Sequence, residues 1–365
     1  RNIDYHVSAR YLLESEEYQA ERVVDKYLEN LAVDNLQLVD EIEEFLMIYD
    51  LTDKKRSIYE KIGDLYKEIK DYYKSYTYYI KAFESIKKDN IDDMAAILIL
   101  KLSNCCKLNH KYKEALEFCK LPLKNESFIS MDIKLELLLN KAEILMLLKE
   151  YDSSLDEIES IEEFNEELSE EYLFTLNMLK GQCYRENRYY RDALEVYKSL
   201  KEGAGSLDKS KILCININII GIYILLRDNR NIRKHIDESL VLISSNRQLY
   251  KEKHGAEIFS GLAKGFKFIS EDERAAEYYN HAIYSAKRNK QYEILTDALE
   301  NLFEIFEKKK ALHEVDNIKN ELLELISTNA INNDNTLIFK VIGFYNAMDD
   351  KESIEGIVSF ILNHQ

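Results

Sequence analysis

Proline occurs once and glycine ten times in 365 residues, and tryptophan is absent. So little turn-forming material excludes folds built on many β-corners, tight turns or long irregular loops. No window approaches the roughly eighteen uninterrupted apolar residues that a membrane span requires. The greasiest stretch, ILCININIIGIYILL (212–226), is broken by Asn216 and Asn218 and reads as a buried helix. The start lacks the charged, then apolar, then small-residue pattern of a secretory leader. Because the chain opens on Arg1 rather than Met, directly into helical sequence, we expect a fragment missing something N-terminal. Five cysteines, Cys105, Cys106, Cys119, Cys183 and Cys214, are odd in number and sit in apolar helical contexts, so free thiols in a reducing cytoplasm are expected.

Signals of catalysis are equally sparse. There is no glycine-rich phosphate loop, no HExxH and no GxSxG, and acidic pairs such as Glu162 and Glu163 read as solvated helix surface. Cys105, Cys106, His110 and Cys119 are metal-ligating types, yet adjacent cysteines on a helix point about 100° apart and do not converge on one tetrahedral ion. No cofactor or metal is expected, and the chain is not expected to be an enzyme. A formal charge of −17 argues against this chain gripping a nucleic-acid backbone by itself, since that binding rests on Lys and Arg displacing counterions.

What is present is helix-forming and periodic. Leu, Ile, Glu, Lys and 26 Tyr fill nearly every stretch, and 46% of the residues are apolar. In GDLYKEIKDYYKSYTYYIKAFE (63–84), Gly63 and Tyr66 lie on one helix, Tyr72 opens the next, and Ser75, Tyr79 and Ala82 recur on its inner face. The same spacing returns as Gly181, Tyr184, Tyr190, Ala193 and Tyr197, as Ser103, Cys106, Tyr112, Ala115 and Cys119, and as Ala142, Leu145, Tyr151, Ser154 and Ile158. Anchors at 63, 103, 142, 181, 221, 263, 303 and 343 give successive gaps of 40, 39, 39, 40, 42, 40 and 40 residues. Eight helix pairs follow, with small residues letting the two helices approach and tyrosines filling the space between pairs. Residues 1–55 fit this frame poorly: Ala9, Leu12, Tyr18 and Val24 suggest a helix pair, and 35–50 adds a helix, so the segment reads as an N-terminal cap or linker before an array over 56–365.

Small, then Tyr three on, Tyr opening the second helix, then Ala and an aromatic resembles the tetratricopeptide-repeat signature, over about residues 56–365, with a period near 40 instead of 34. That resemblance implies an all-α, right-handed superhelical solenoid of about eight to nine hairpins. Long repeats of this kind are similar to those of the cytoplasmic peptide-pheromone receptors of Gram-positive bacteria, the RRNPP group of quorum-sensing regulators and response-regulator phosphatases. The Lys-, Ile- and Asn-rich composition has the look of a clostridial proteome. The resemblance implies a short signalling peptide as partner, and DNA contact only through a helix-turn-helix domain that would precede Arg1.

In a solenoid of helix pairs the first helix of each pair lines the concave face, which suits an extended peptide. Numbering the anchor as position 8, positions 2, 5, 9 and 12, with some at 6, face the groove. They give Asn104 and Lys107; Asn140, Glu143 and Met146; Met178, Gln182 and Arg185; Asn218 and Ile222; Lys264 and Lys267; and Glu300, Asn301 and Glu304. Asn and Gln bond both N–H and C=O of an extended chain, while Met and Ile offer side-chain pockets. Lys264, Lys267 and Arg185 are candidates for a peptide carboxylate. The last turns, with Ile357, Val358, Phe360, Ile361 and Leu362, leave apolar groups on more than one side, where a terminal unit normally turns a polar face outward, and so predict a homodimer through the C-terminal repeats. The basic run RDNRNIRKH (227–235) reads as a solvated helix start or a docking point. A phosphatase, with Gln19 or Gln37 orienting water, and a plain interaction scaffold are the alternative readings.

Overall fold

A computed structural model describes residues 22–49, 52–86, 91–124, 129–164, 168–203, 208–246, 248–328 and 336–363. Ala9, Leu12, Tyr18 and Gln19 lie outside these described residues. Backbone contacts divide the chain into two compact units, Arg1–Asn187 and Arg188–Gln365. The first holds α1 (22–30), α2 (Leu38–Ile48), α3 (Thr52–Glu68), α4 (Tyr72–Phe83), α5 (Asp93–Leu108), α6 (Tyr112–Leu123), α7 (Met131–Leu147), α8 (Tyr151–Glu162) and α9 (Glu170–Glu186). The second holds α10 (Tyr190–Glu202), α11 (Lys209–Leu225), α12 (Asn229–Ser244), α13 (Gly255–Phe268), α14 (Asp272–Arg288), α15 (Tyr292–Lys308), α16 (Leu312–Ser327), α17 (Thr336–Ala347) and α18 (Lys351–Asn363). The expected all-α array is thus what the described residues form: every anchor falls on the first helix of a pair, and within the units α5 packs on α7, α7 on α9, α11 on α13, α13 on α15 and α15 on α17.

Among the described residues, no turn within a pair places glycine in the left-handed region. Lys70, His110, Lys149, Arg188, Arg227, Ser270, Lys310 and Asp349, six or seven residues after their anchors, hold φ between 51° and 66°, as does Lys290 with φ 53° between α14 and α15. After most of them the next N–H reaches back five residues to a helix carbonyl, as Asp71 to Tyr66, Glu150 to Leu145 and Glu271 to Phe266, each at 2.9 Å. This left-handed closure caps two dangling carbonyls of the helix end. Six of the nine residues are Lys or Arg, whose charge suits the negative end of the helix macrodipole.

Inside a pair, the small residues act as the periodicity implies. A Cβ at Gly63 would come 2.6 Å from the Tyr79 ring. The hydroxyls of Ser75, Ser103 and Ser154 donate across their hairpins to the carbonyls of Gly63, Ala115 and Ala142 at 2.8, 2.9 and 2.7 Å. A serine here is therefore both small enough for close packing and fully hydrogen-bonded. Tyr66, Tyr79 and Tyr197 are buried and Tyr184 is half-buried, as core filler should be; of the crowded tyrosines of α4, Tyr78 is buried, Tyr76 is half-buried and Tyr73 is exposed. Val24 of α1 joins Val39, Ile42 and Leu46 of α2 and Ile58 and Ile62 of α3 in one core cluster.

One contact between first helices is dry. Cβ atoms at Gly261 and Gly265 of α13 would lie 2.9 Å from Ile217 and 3.1 Å from Ile220 of α11. The two glycines let α13 press directly on α11, and α11 is buried almost throughout, from Leu213 to Tyr223. In α18, by contrast, only Ile357 is fully buried; Val358 and Leu362 are exposed, and so is Phe339 of α17.

Candidate functional site

Lysines tie neighbouring first helices together along the face that carries positions 5, 6, 9 and 12. Lys101 of α5 donates to Glu60 at 2.8 Å and Asp64 at 2.7 Å, both on α3. Lys107, farther along α5, donates to Asn140 at 3.0 Å and Glu143 at 2.6 Å on α7. The second unit repeats that arrangement: Lys267 of α13 donates to Asn301 at 2.9 Å and Glu304 at 2.6 Å on α15. Both clamps use a Lys four residues after its anchor, an Asn two before the next anchor and a Glu one after it. Lys264 adds a 2.9 Å ion pair to Asp297, and Lys340 one of 2.5 Å to Glu300.

The electrostatics of these clamps favour the charged forms. Burial works against the charge of Lys101, but Asp64 and Glu60 outweigh it and hold its pKa above that of an ordinary lysine. Glu304 is held below the usual carboxylate range, first by its hydrogen bond from Lys267. The lysines are the covered partners, with side chains 15% exposed at Lys107 and 20% at Lys267, whereas Glu143 and Glu304 are 44% and 43% exposed. An incoming group therefore meets the carboxylates first.

The residues expected to line a groove divide into three sets. Asn104, Glu143 and Gln182 share one repeat position on α5, α7 and α9, and among the described residues the half-buried amides of Asn104 and Gln182 have no intramolecular partner. Beside them run the half-buried Leu100, Leu139 and Met178 at a second shared position. Met146 is half-buried against the core between α7 and α9, and Arg185 is drawn to its neighbour Glu186 at 2.8 Å. In the second set the polar atoms are already engaged: Asn140 is 6% exposed, its amide donating to Ser103 at 3.1 Å and to the Cys119 sulfur at 3.3 Å while its oxygen takes Lys107. Asn301 and Glu304 are likewise held by Lys267, and Lys264 by Asp297. The third set lies in the core: Ile222 is fully buried, and Asn218 is 8% exposed with its amide on the Cys214 carbonyl at 2.9 Å.

Comparisons place this geometry among known folds. No family profile matches the chain, and no curated protein matches it in sequence. Solved structures do. NprR in complex with its cognate peptide NprX is 17% identical with a TM-score of 0.54, covering 100% of this chain and 99% of that one. Rap protein complexed with competence and sporulation factor is 14% identical with a TM-score of 0.51, covering 96% and 97%. A signal-transduction ATPase with a tetratricopeptide-repeat sensor, from Pyrococcus horikoshii, is 16% identical with a TM-score of 0.51; 88% of this chain matches about half of that one, 54%. The chain has a tetratricopeptide-repeat fold. Among its described residues, no helix is long and apolar enough to cross a membrane.

Three features of this repeat array were not anticipated from sequence. The lysine clamps are pairings across repeats, visible only once the register of neighbouring first helices is known. A polar network lies inside the second unit: Lys201 of α10 donates to Asn216 at 2.8 Å and Glu238 at 2.6 Å, Asn216 donates to Ser239 at 3.2 Å, and His235 stacks on Tyr223. Burial, opposed by Glu238, pulls the His235 pKa down to about 4, so its ring stays neutral. Finally, the two extra residues of the 42-residue gap accompany a short 3-10 helix, Leu249–Lys251, which sets Tyr250 against Phe259, His281 and Tyr284. The run 227–235 is a capped helix start: Asp228 accepts from the Asn231 backbone at 3.1 Å, and Arg233 pairs with Glu271. All five cysteines are free and buried, and burial pushes the thiols of Cys106 and Cys214 up to about 12. Gln37 is exposed beside the start of α2.

Proposed function

We propose that this chain is the peptide-receiving domain of a quorum-sensing regulator, with a short signalling peptide lying across α5, α7 and α9. The observation that carries the reading is the row Asn104, Glu143, Gln182, whose two amides have no intramolecular partner among the described residues. Packed helices generally lie about 8–10 Å apart, roughly the span of three residues of an extended strand, so such a row suits a peptide backbone at regular intervals. The aliphatic row of Leu100, Leu139 and Met178 supplies apolar contact for side chains on one edge. NprR with NprX and Rap with its factor, peptide complexes of the same fold, support the reading. Calorimetry against short peptides secreted by the host is the test. Asn104→Ala and Gln182→Ala should each weaken binding about tenfold without altering the fold. Unchanged affinity in the double variant removes the proposed contact surface.

In this reading the partner of the domain is a second copy of itself, through α17 and α18, whose exposed Phe339, Val358 and Leu362 remain uncovered in the single chain. DNA contact is not assigned to this array, whose formal charge is −17. A light-scattering mass equal to one chain at micromolar concentration excludes the dimer.

A further inference from the structure

Internal repetition allows one hairpin to be used as a reference for another. Tyr79 and Tyr279 both lie sixteen residues after their anchors, Gly63 and Ala263, and both are fully buried. In the first hairpin the Tyr79 hydroxyl donates to Asp64, the residue directly after the anchor, at 2.6 Å. In the later hairpin that place belongs to Lys264, so a donor stands where the acceptor was. The Tyr279 hydroxyl is left with no hydrogen-bond partner, and Lys264 turns away to Asp297 on α15. Burial, then the charges of Asp297 and Glu304, raise the Tyr279 phenol above its ordinary pKa, so the proton stays on oxygen as a donor in search of an acceptor. A buried orphan hydroxyl is costly and rare in a native fold. The charges that reach it are two carboxylates, Asp297 and Glu304, each already paired with a lysine of α13, Lys264 and Lys267; Lys264 is the more open of the two lysines, with its side chain 48% exposed against 20%.

We propose that this place is a carboxylate site. A carboxylate of the ligand accepts from the Tyr279 hydroxyl and from Lys264, released from Asp297, and so occupies the place that the Asp64 carboxylate holds in the first hairpin. The peptide reading enters only in naming what carries the carboxylate, either a free C-terminus or an acidic side chain.

Three randomised hexapeptide mixtures separate the possibilities: one without Asp or Glu and with a free C-terminus, the same mixture amidated, and an amidated mixture that includes Asp and Glu. Retention on the immobilised chain should favour at least one carboxylate-bearing mixture over the neutral amidated one by about tenfold. The first mixture marks the C-terminus as the source and the third marks a side chain. Tyr279→Phe should erase that preference while raising the thermal stability of the unliganded chain, because it deletes a buried group that has no partner. Lys264→Met should reduce the preference as well. Equal retention of all three overturns the carboxylate site and leaves the peptide groove standing. Sodium butyrate gives a test that needs no peptide: at matched ionic strength it should raise the Tm of the wild type over chloride, and not that of Tyr279→Phe. Equal shifts in both proteins overturn the site, whatever the peptides do.

Discussion

Neighbouring first helices in this chain are joined in two ways. Between α5 and α7, and again between α13 and α15, the joint is wet: a covered lysine spans to an amide and a half-open carboxylate. Between α11 and α13 it is dry: two glycines bring α13 against Ile217 and Ile220. A dry joint is fixed by shape, because close-packed surfaces lose contact on any displacement. A wet joint adds to its apolar contacts, such as that of Ile99 and Leu137 between α5 and α7, a few polar bonds that a ligand can supply in their place. The same first-helix layer therefore contains places where a guest can compete and one where it has nothing to displace.

The most severe way to break the dry joint is to fill it. Gly265→Leu drives a side chain into Ile220 and Ile236, both within 3.1 Å of a bare Cβ, and should cost on the order of 3 kcal/mol in urea unfolding. The other side of α11 can be probed with pH. His235 is neutral in the folded chain, with its pKa near 4 against an ordinary 6.5. Between those values the unfolded chain binds the proton first, so stability is full above about pH 6.5 and falls by up to about 3 kcal/mol as pH drops toward 4. His235→Gln should flatten that slope. Glu238, whose pKa is lowered as burial is outweighed by Lys201, sharpens the loss only below the ordinary glutamate range. A control away from both joints is Lys149→Gly, which relieves a left-handed residue and should add about 1 kcal/mol. The smallest effect belongs to the wet joints. Lys107→Met and Lys267→Met should each cost under about 1 kcal/mol and less still in high salt, because half of each pair faces solvent. A loss as large as that of Gly265→Leu in either variant would erase the distinction.

The repeat was legible because its signal is redundant: eight anchors, each supported by a tyrosine or its substitute, specify helix pairs even where single residues depart from the pattern. Repeat register alone gives Asn104, Glu143 and Gln182 one shared position on their first helices. Whether a residue at such a position is free was not legible, since it depends on the neighbouring repeat. Asn140 is consumed by Ser103, Cys119 and Lys107, partners 37, 21 and 33 residues away. Ile222 and Asn218 looked like lining by register, yet they belong to a helix buried almost throughout, pressed by glycines one repeat later. The orphan state of Tyr279 follows from a single exchange, Asp64 in one hairpin for Lys264 in another. It emerges only when the two hairpins are compared atom by atom.

The hairpin turns carry one more implication. Among the described residues, nine left-handed positions are occupied by residues with side chains and none by glycine, and most are pinned by a backbone bond to the preceding helix. Within each unit, such pinned corners resist pivoting. If either unit alters its form when a guest arrives, the adjustment has to be spread as shear between helices, small slips summed over several contacts instead of one swing at a joint.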